Sequence, residues 1–143
     1  MSTIRPANGA DLPRIAALLD AEALPTTDLT TSRIAFLIDE DHAGLVAAIG
    51  LEQHADTGLL RSLVVAPAHR GAGHARRLVE ALEAQARACG IRDLVLLTQT
   101  AAPFFARAGY AVITRGNAPR AVQDSGEFRA LCPASATCMH KVL

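Results

Sequence analysis

The sequence is 143 residues long, the size of one domain with room for a hydrophobic core. Fourteen basic residues balance fourteen acidic ones, which argues against nucleic acid or an anionic membrane as the main partner. Half the residues are apolar, yet no apolar run approaches the ~20 residues that span a bilayer. Residues 1–6 lack the apolar core of a signal peptide. Cys89, Cys132 and Cys138 are odd in number and unevenly spaced, unlike a disulfide framework. Together these features predict a reduced, cytoplasmic protein.

In chain order, residues 4–6 predict a short edge strand, because Pro6 cannot donate to a ladder. Asn8 or Asp11 caps the helix that follows, with Pro13 in its first turn and Leu12, Ile15, Leu18 and Leu19 at helical spacing. Leu24-Pro25 ends it, and residues 26–32 form a polar, threonine-rich connection. Residues 34–38 read as a buried strand closed by the turn cluster Asp39-Glu40-Asp41-His42. Residues 44–51 make a second strand, and Ala55-Asp56-Thr57-Gly58 turns the chain into a third at 59–65. Short connections rich in turn formers make these three an antiparallel meander.

The third strand runs into Arg70-Gly71-Ala72-Gly73-His74-Ala75, a glycine-bearing turn that opens a helix. Such a junction leaves the first N–H groups of the helix unpaired, with the positive end of its dipole behind them. That makes an anion site suited to a pyrophosphate. Gly71 and Gly73 keep the backbone approachable and accept positive φ at low cost. No Gly-Lys-Ser/Thr follows, so this is not a Walker A loop, and no Rossmann fingerprint is present. Along the helix, Ala75, Leu78, Val79, Leu82, Ala86 and Cys89 form an apolar stripe. Arg76, Glu80, Glu83 and Arg87 lie opposite it, with Glu83–Arg87 a favourable i, i+4 pair. Gly90 stops the helix. Residues 94–98 predict a buried parallel strand, 101–108 a helix stopped by Gly109, 112–114 a strand, 119–131 a partly helical stretch, and 136–142 the last strand.

The run Val65-x-Pro67-x-x-Arg70-Gly71-x-Gly73-x-Ala75 resembles motif A of the GNAT superfamily of acetyl-CoA-dependent N-acetyltransferases. Its core, R/Q-x-x-G-x-G/A, is met by Arg70, Gly73 and Ala75. The order of predicted elements fits that fold along nearly the whole chain. The resemblance implies a single α/β (α+β) domain over residues 1–143, with a mixed, mostly antiparallel sheet of about seven strands and helices on both faces. It implies that the strand before motif A and the strand after its helix splay apart to admit the pantetheine arm. The Leu63 backbone N–H would then polarise the acetyl carbonyl. Val64 and Val65 would line the cofactor, with Val65 pairing with the pantetheine amides. The backbone of Arg70, Gly71, Ala72, Gly73, His74 and Ala75 would hold the pyrophosphate. Acetyl-CoA is the implied co-substrate, and no metal is called for.

Acetyl transfer needs a neutral amine, a stabilised carbonyl oxygen and a proton for the departing thiolate. The second signature of the family, A-x-x-F-Y-x-x-x-G-F, is matched by Ala101-Ala102-Pro103-Phe104-Phe105-Ala106-Arg107-Ala108-Gly109-Tyr110. Its usual tyrosine, a proton donor to the thiolate, falls at Phe105, which keeps only an apolar cofactor contact. A thiolate of low basicity leaves without a dedicated acid. Tyr110 takes the place of a core aromatic. Many relatives carry a base glutamate near the start of the motif A strand. Leu59 stands there, so Glu52 is the nearest substitute and His54 the next, unless the amine loses its proton through water.

Residues 59–63 and 96–105 resemble family members that act on amino acids, N-acetylglutamate synthases among them. A carboxylate-bearing acceptor calls for a bidentate arginine. Arg61 is the candidate, with Ser62, Thr98 and Thr100 as neutral donors; alternatively Arg61 is a surface ion pair and the threonines finish the strand and cap the next helix. The tail, residues 127–139, resembles acetyltransferase-like proteins encoded with arsenic-resistance genes, which implies a small amine acceptor, arsenic-bearing amino acids included. The reading is an acetyltransferase working by direct attack in a ternary complex, with a homodimer left open. Two alternatives stand beside it. One is a non-catalytic acetyl-CoA sensor. The other is an arsenite-binding protein using Cys132 and Cys138 with Cys89, against which stand the spacing of the pair and the place of Cys89 on the apolar stripe.

Overall fold

The computed structural model describes residues 1–133 and 135–143, with side chains for all of these but Ala130 and Leu131; Ala134 of the tail resemblance lies outside the described residues. The strands are β1 (Thr3–Pro6), β2 (Ala35–Asp41), β3 (Gly44–His54), β4 (Thr57–Val65), β5 (Asp93–Thr98), β6 (Ala111–Ile113) and β7 (Thr137–Val142). Between them lie the helices α1 (Leu12–Ala21), α2 (His74–Ala88), α3 (Ala102–Arg107) and α4 (Arg120–Gln123), and a π-helical turn at Glu127–Leu131. The seven strands make one sheet in the order β1-β2-β3-β4-β5-β7-β6. Among the described residues only the β4–β5 pair is parallel, and α2 is the crossover that a parallel pair requires.

Side-chain alternation along β2 and β3 sorts the core onto two faces. Phe36, Ile38 and Ala48 meet Ile15 and Leu19 of α1. Leu37, Ala47 and Ile49 point the other way, to Leu78, Val79, Leu82 and Ala86 of α2. Burial of Leu78, Val79 and Leu82 contributes roughly 1.5–3 kcal/mol each. Asn8 accepts from the Ala10 N–H while Asp11 reaches back to the Asn8 N–H, a capping box ahead of α1.

Three local expectations give way. β2 continues through Asp39, Glu40 and Asp41 instead of turning there. Asp39 is tolerated inside because His74 Nδ1 lies 2.8 Å from its carboxylate and Arg77 Nη2 3.3 Å. Glu83, expected in solvent beside Arg87, is buried; it accepts from the Tyr110 hydroxyl at 2.8 Å and from Lys141 Nζ at 3.0 and 3.1 Å. Cys89 falls one residue past the last turn of α2 and is exposed, not packed. Tyr110 is buried, edge-on to Phe105, as a core aromatic should be.

The feature that shapes the site is a bulge. Ala48 pairs with Val64 and Gly50 with Arg61, so Ser62 and Leu63 together oppose Ile49. Ser62 adopts φ +58°, a left-handed conformation that costs a non-glycine residue of order 1–3 kcal/mol. A bulge bends its strand. β4 pairs with β5 only from Thr57 to Leu59, opposite Asp93 to Val95, and the two strands separate beyond that point.

Candidate active site

The separation opens a cleft of about 750 Å³ between Leu60–Val65 on one wall and Leu96–Thr98 on the other. Residues 99–101, Phe104 and Phe105 extend the second wall, and residues 22–25 beyond α1 close the far side.

One end of the cleft is the start of α2. Gly71 and Gly73 have φ +79° and +84°, and Gly73 is the N-cap without any side-chain cap. The first N–H groups of a 15-residue helix are therefore left to whatever enters. Among the described residues, a Cβ on either glycine would meet nothing within 4 Å, so open space lies before the turn. This fits a phosphate-bearing ligand. Arg70, Gly71, Gly73, His74 and Ala75 line the cleft, whereas Ala72 does not. Arg70 donates to the Val65 carbonyl oxygen at 3.4 Å and pairs with Glu22 across the mouth. In the middle, Leu63, Val64 and Val65 form the β4 wall. Phe105, facing them from α3, is buried and carries no proton to donate.

The other end is polar. Arg61, expected to face a substrate carboxylate, is only 2 % exposed and already engaged. Its Nη1 and Nη2 donate to the two oxygens of Asp28 at 2.6 and 2.7 Å, Nη1 also to Glu52 at 2.6 Å, and Nε to the Ser62 hydroxyl at 3.1 Å. A buried guanidinium must be matched this way. Glu52 completes its pairing with His54 Nε2 at 3.0 Å, and neither residue lines the cleft. Ser62, Thr98 and Thr100 do line it. Thr98 Oγ1 accepts from the Ala101 N–H at 3.0 Å, leaving its own O–H to donate.

Two residues here escape the sequence reading. Asp28 sits in the polar connection 26–32, where a lone aspartate reads as solvated, 33 positions from the arginine it holds. Glu127 opens the π-helical turn, and no local pattern distinguishes it. Its side chain lines the cleft, is 4 % exposed, and brings Oε1 to 3.7 Å from Arg61 Nε. Burial pushes its carboxyl up to about 7; Glu52 and Asp28 push the same way and Arg61 opposes them.

Among the described residues, no three His, Cys, Asp or Glu side chains gather to hold a metal ion. Cys132 lines the cleft, and burial pushes its thiol up to about 11; Cys138 is buried with its thiol also raised. Among the described residues, no helix is long and apolar enough to cross a membrane.

The family model described as "Acetyltransferase (GNAT) domain" matches residues 32–112. No curated protein matches the sequence. Among solved structures, Rv2747 from Mycobacterium tuberculosis, in complex with CoA and NLQ, is 26% identical over 99% of both chains, with a TM-score of 0.82. N-acetylglutamate synthase from Neisseria gonorrhoeae, complexed with coenzyme A and N-acetyl-glutamate, is 22% identical with a TM-score of 0.81, a likeness of fold. It covers 100% of this chain, which spans only 35% of the synthase. A GNAT-family acetyltransferase from Staphylococcus aureus superposes over 100% of this chain and 99% of its own, with a TM-score of 0.81 at 15% identity. With this family match on the chain whose β4 and β5 part in front of an uncapped helix start, the protein belongs to the GNAT family of acetyltransferases, enzymes that use acetyl-CoA.

Proposed function

We propose that this protein moves an acetyl group from acetyl-CoA to the amine of a small molecule, by direct attack within a ternary complex. One observation carries the reading. A single cleft joins an anion-receptive helix start to a chamber of hydroxyls and carboxylate. The thioester supplies an activated carbonyl. The backbone of Arg70, Gly71, Gly73, His74 and Ala75 holds the pyrophosphate, Val64 and Val65 flank the pantetheine arm, and Phe105 packs against it. The Leu63 N–H meets the carbonyl oxygen as it gains charge.

The acceptor class is an amino acid or analogue, arsenic-bearing ones included; the N-acetyl-glutamate in the Neisseria complex lends support. Because Arg61 is committed to Asp28 and Glu52, a carboxylate on the acceptor falls to the hydroxyls of Ser62, Thr98 and Thr100. Phe105 in the place of a proton donor favours a second reading, a sensor that binds acetyl-CoA without turnover. A free-thiol release assay with acetyl-CoA across amino acids, polyamines and arsenic-bearing analogues tests both. Amine-dependent thiol release is expected. Cofactor binding with no release for any amine would overturn the transferase reading in favour of the sensor.

A further inference from the structure

Three carboxylates surround Arg61, and one guanidinium cannot neutralise them all. Asp28 is satisfied by Arg61 and by the Ser32 hydroxyl at 2.8 Å, and Glu52 by Arg61 and His54. Glu127 differs. Its Oε1 reaches Arg61 Nε only at 3.7 Å, and its Oε2 is buried with no hydrogen-bond partner among the described residues. Leaving a buried carboxylate oxygen unpaired is costly, and a ligand entering beside it can supply the partner; Asp39 Oδ1 is also unpaired among the described residues, but Asp39 does not line the cleft. This oxygen belongs to a residue on the wall of the cleft that also holds Ser62 and Thr98.

We propose that Glu127 receives the ammonium group of the acceptor and takes its proton. The inference rests on the acetyl-transfer reading and adds to it the residue that prepares the nucleophile. The surplus of negative charge from Asp28, Glu52 and Glu127 over Arg61 draws a cation to the one carboxylate left open. Cys132, also on the cleft wall, adds no charge while its thiol stays protonated. A carboxyl raised to about 7 is half ionised at neutrality, where a general base works best.

The protons balance. One passes from the ammonium to Glu127, and the neutral nitrogen attacks the thioester carbonyl carbon. The C–N bond forms and the C–S bond breaks, its electron pair leaving on sulfur. A second proton, from the attacking nitrogen, ends on that sulfur, and Glu127 releases its own to solvent.

Glu127→Gln keeps the volume and removes the base. With an amine that the thiol-release assay identifies, kcat/KM at pH 7 should fall roughly 10²–10⁴-fold. Its rise through about pH 7 should vanish while CoA affinity stays. Glu127→Asp should keep the rise with a smaller loss. An unchanged kcat/KM, or a rise that survives in Glu127→Gln, overturns the proposal. A second measurement needs neither turnover nor a variant that folds: NMR titration of the side-chain carboxyls in the CoA-loaded wild-type protein, with methylammonium chloride as the probe. One glutamate midpoint near 7, lowered by methylammonium, is expected; no such midpoint, or one that methylammonium leaves in place, refutes it. A wild-type protein that shows the methylammonium shift but acetylates no amine refutes the transferase reading and retains Glu127 as an ammonium site.

Discussion

Arg61→Ala removes the only cation held between Asp28 and Glu52 among the described residues, and its cost can be worked from the geometry. The guanidinium makes a two-pronged bond to Asp28 at 2.6 and 2.7 Å and a third contact to Glu52 at 2.6 Å, all buried. Breaking a buried pair from one side costs about 3–5 kcal/mol, because the partner charges stay behind. Asp28 keeps its Ser32 bond and Glu52 its His54 contact, and water can enter the space left, so the lower end, about 3 kcal/mol, applies. Against a total of roughly 5–15 kcal/mol for a domain, that is roughly a fifth to three fifths of the stability, or a fall in Tm of about 10 °C.

The loss should shrink in acid. In the native protein burial raises the Asp28 carboxyl, but the bonds from Arg61 and Ser32 outweigh it and hold it below its ordinary value. Its contribution is thus present above the unfolded value and lost as pH falls through the folded one. Without Arg61, burial is opposed only by the bonds from Ser32 and from the Asp28 backbone N–H, and the folded state takes up a proton more readily. The variant then closes on the wild type between pH 7 and about pH 4. Urea unfolding followed by circular dichroism at pH 7 and pH 5 measures both effects. A loss below about 1 kcal/mol at pH 7, or an equal loss at both pH values, would refute the ion-pair account.

Gly73→Glu should abolish CoA binding in calorimetry while the protein still folds, since its Cβ meets open space and the positive φ costs only about 1–3 kcal/mol; unchanged affinity would remove the turn from the cofactor site. Tyr110 is the only tyrosine, so an alkaline absorbance titration reads it alone. Burial first, then the Glu83 carboxylate, push the phenol well above the ordinary value of about 10. Its phenolate should appear only at higher pH or on unfolding, and the stability it confers should decline as pH rises past about 10; a midpoint near 10 would contradict the buried hydroxyl–carboxylate bond. Tyr110→Phe should cost about 1–2 kcal/mol in urea, since Glu83 keeps Lys141.

Much of the architecture is written locally. The corner around Gly71 and Gly73 reads from spacing and glycine conformation alone, and the meander from its turn residues. Cys89 apart, the misplaced details share a cause, which is that charge reads as a mark of solvent. Asp39 stays in a strand because His74 and Arg77 come to it from another element. Glu83 turns inward because Tyr110 and Lys141, distant in sequence, meet it there. Asp28 and Glu127 draw meaning from Arg61 in the same way. A carboxylate becomes legible as interior only once the fold has brought its partner, and no periodicity announces that.

The three-residue seam between β4 and β5 has a mechanical consequence. With so few rungs joining them, the strands β1–β4 and the strands β5–β7 behave as two plates that share a short hinge. The beam across that hinge is α2, whose Leu78, Leu82 and Ala86 belong to one packed cluster with Leu60 on the first plate and Leu94 and Leu96 on the second. Cohesion along this line is therefore oily rather than ladder-like. Shaving the underside of α2 would loosen the plates from each other before it unravelled either one.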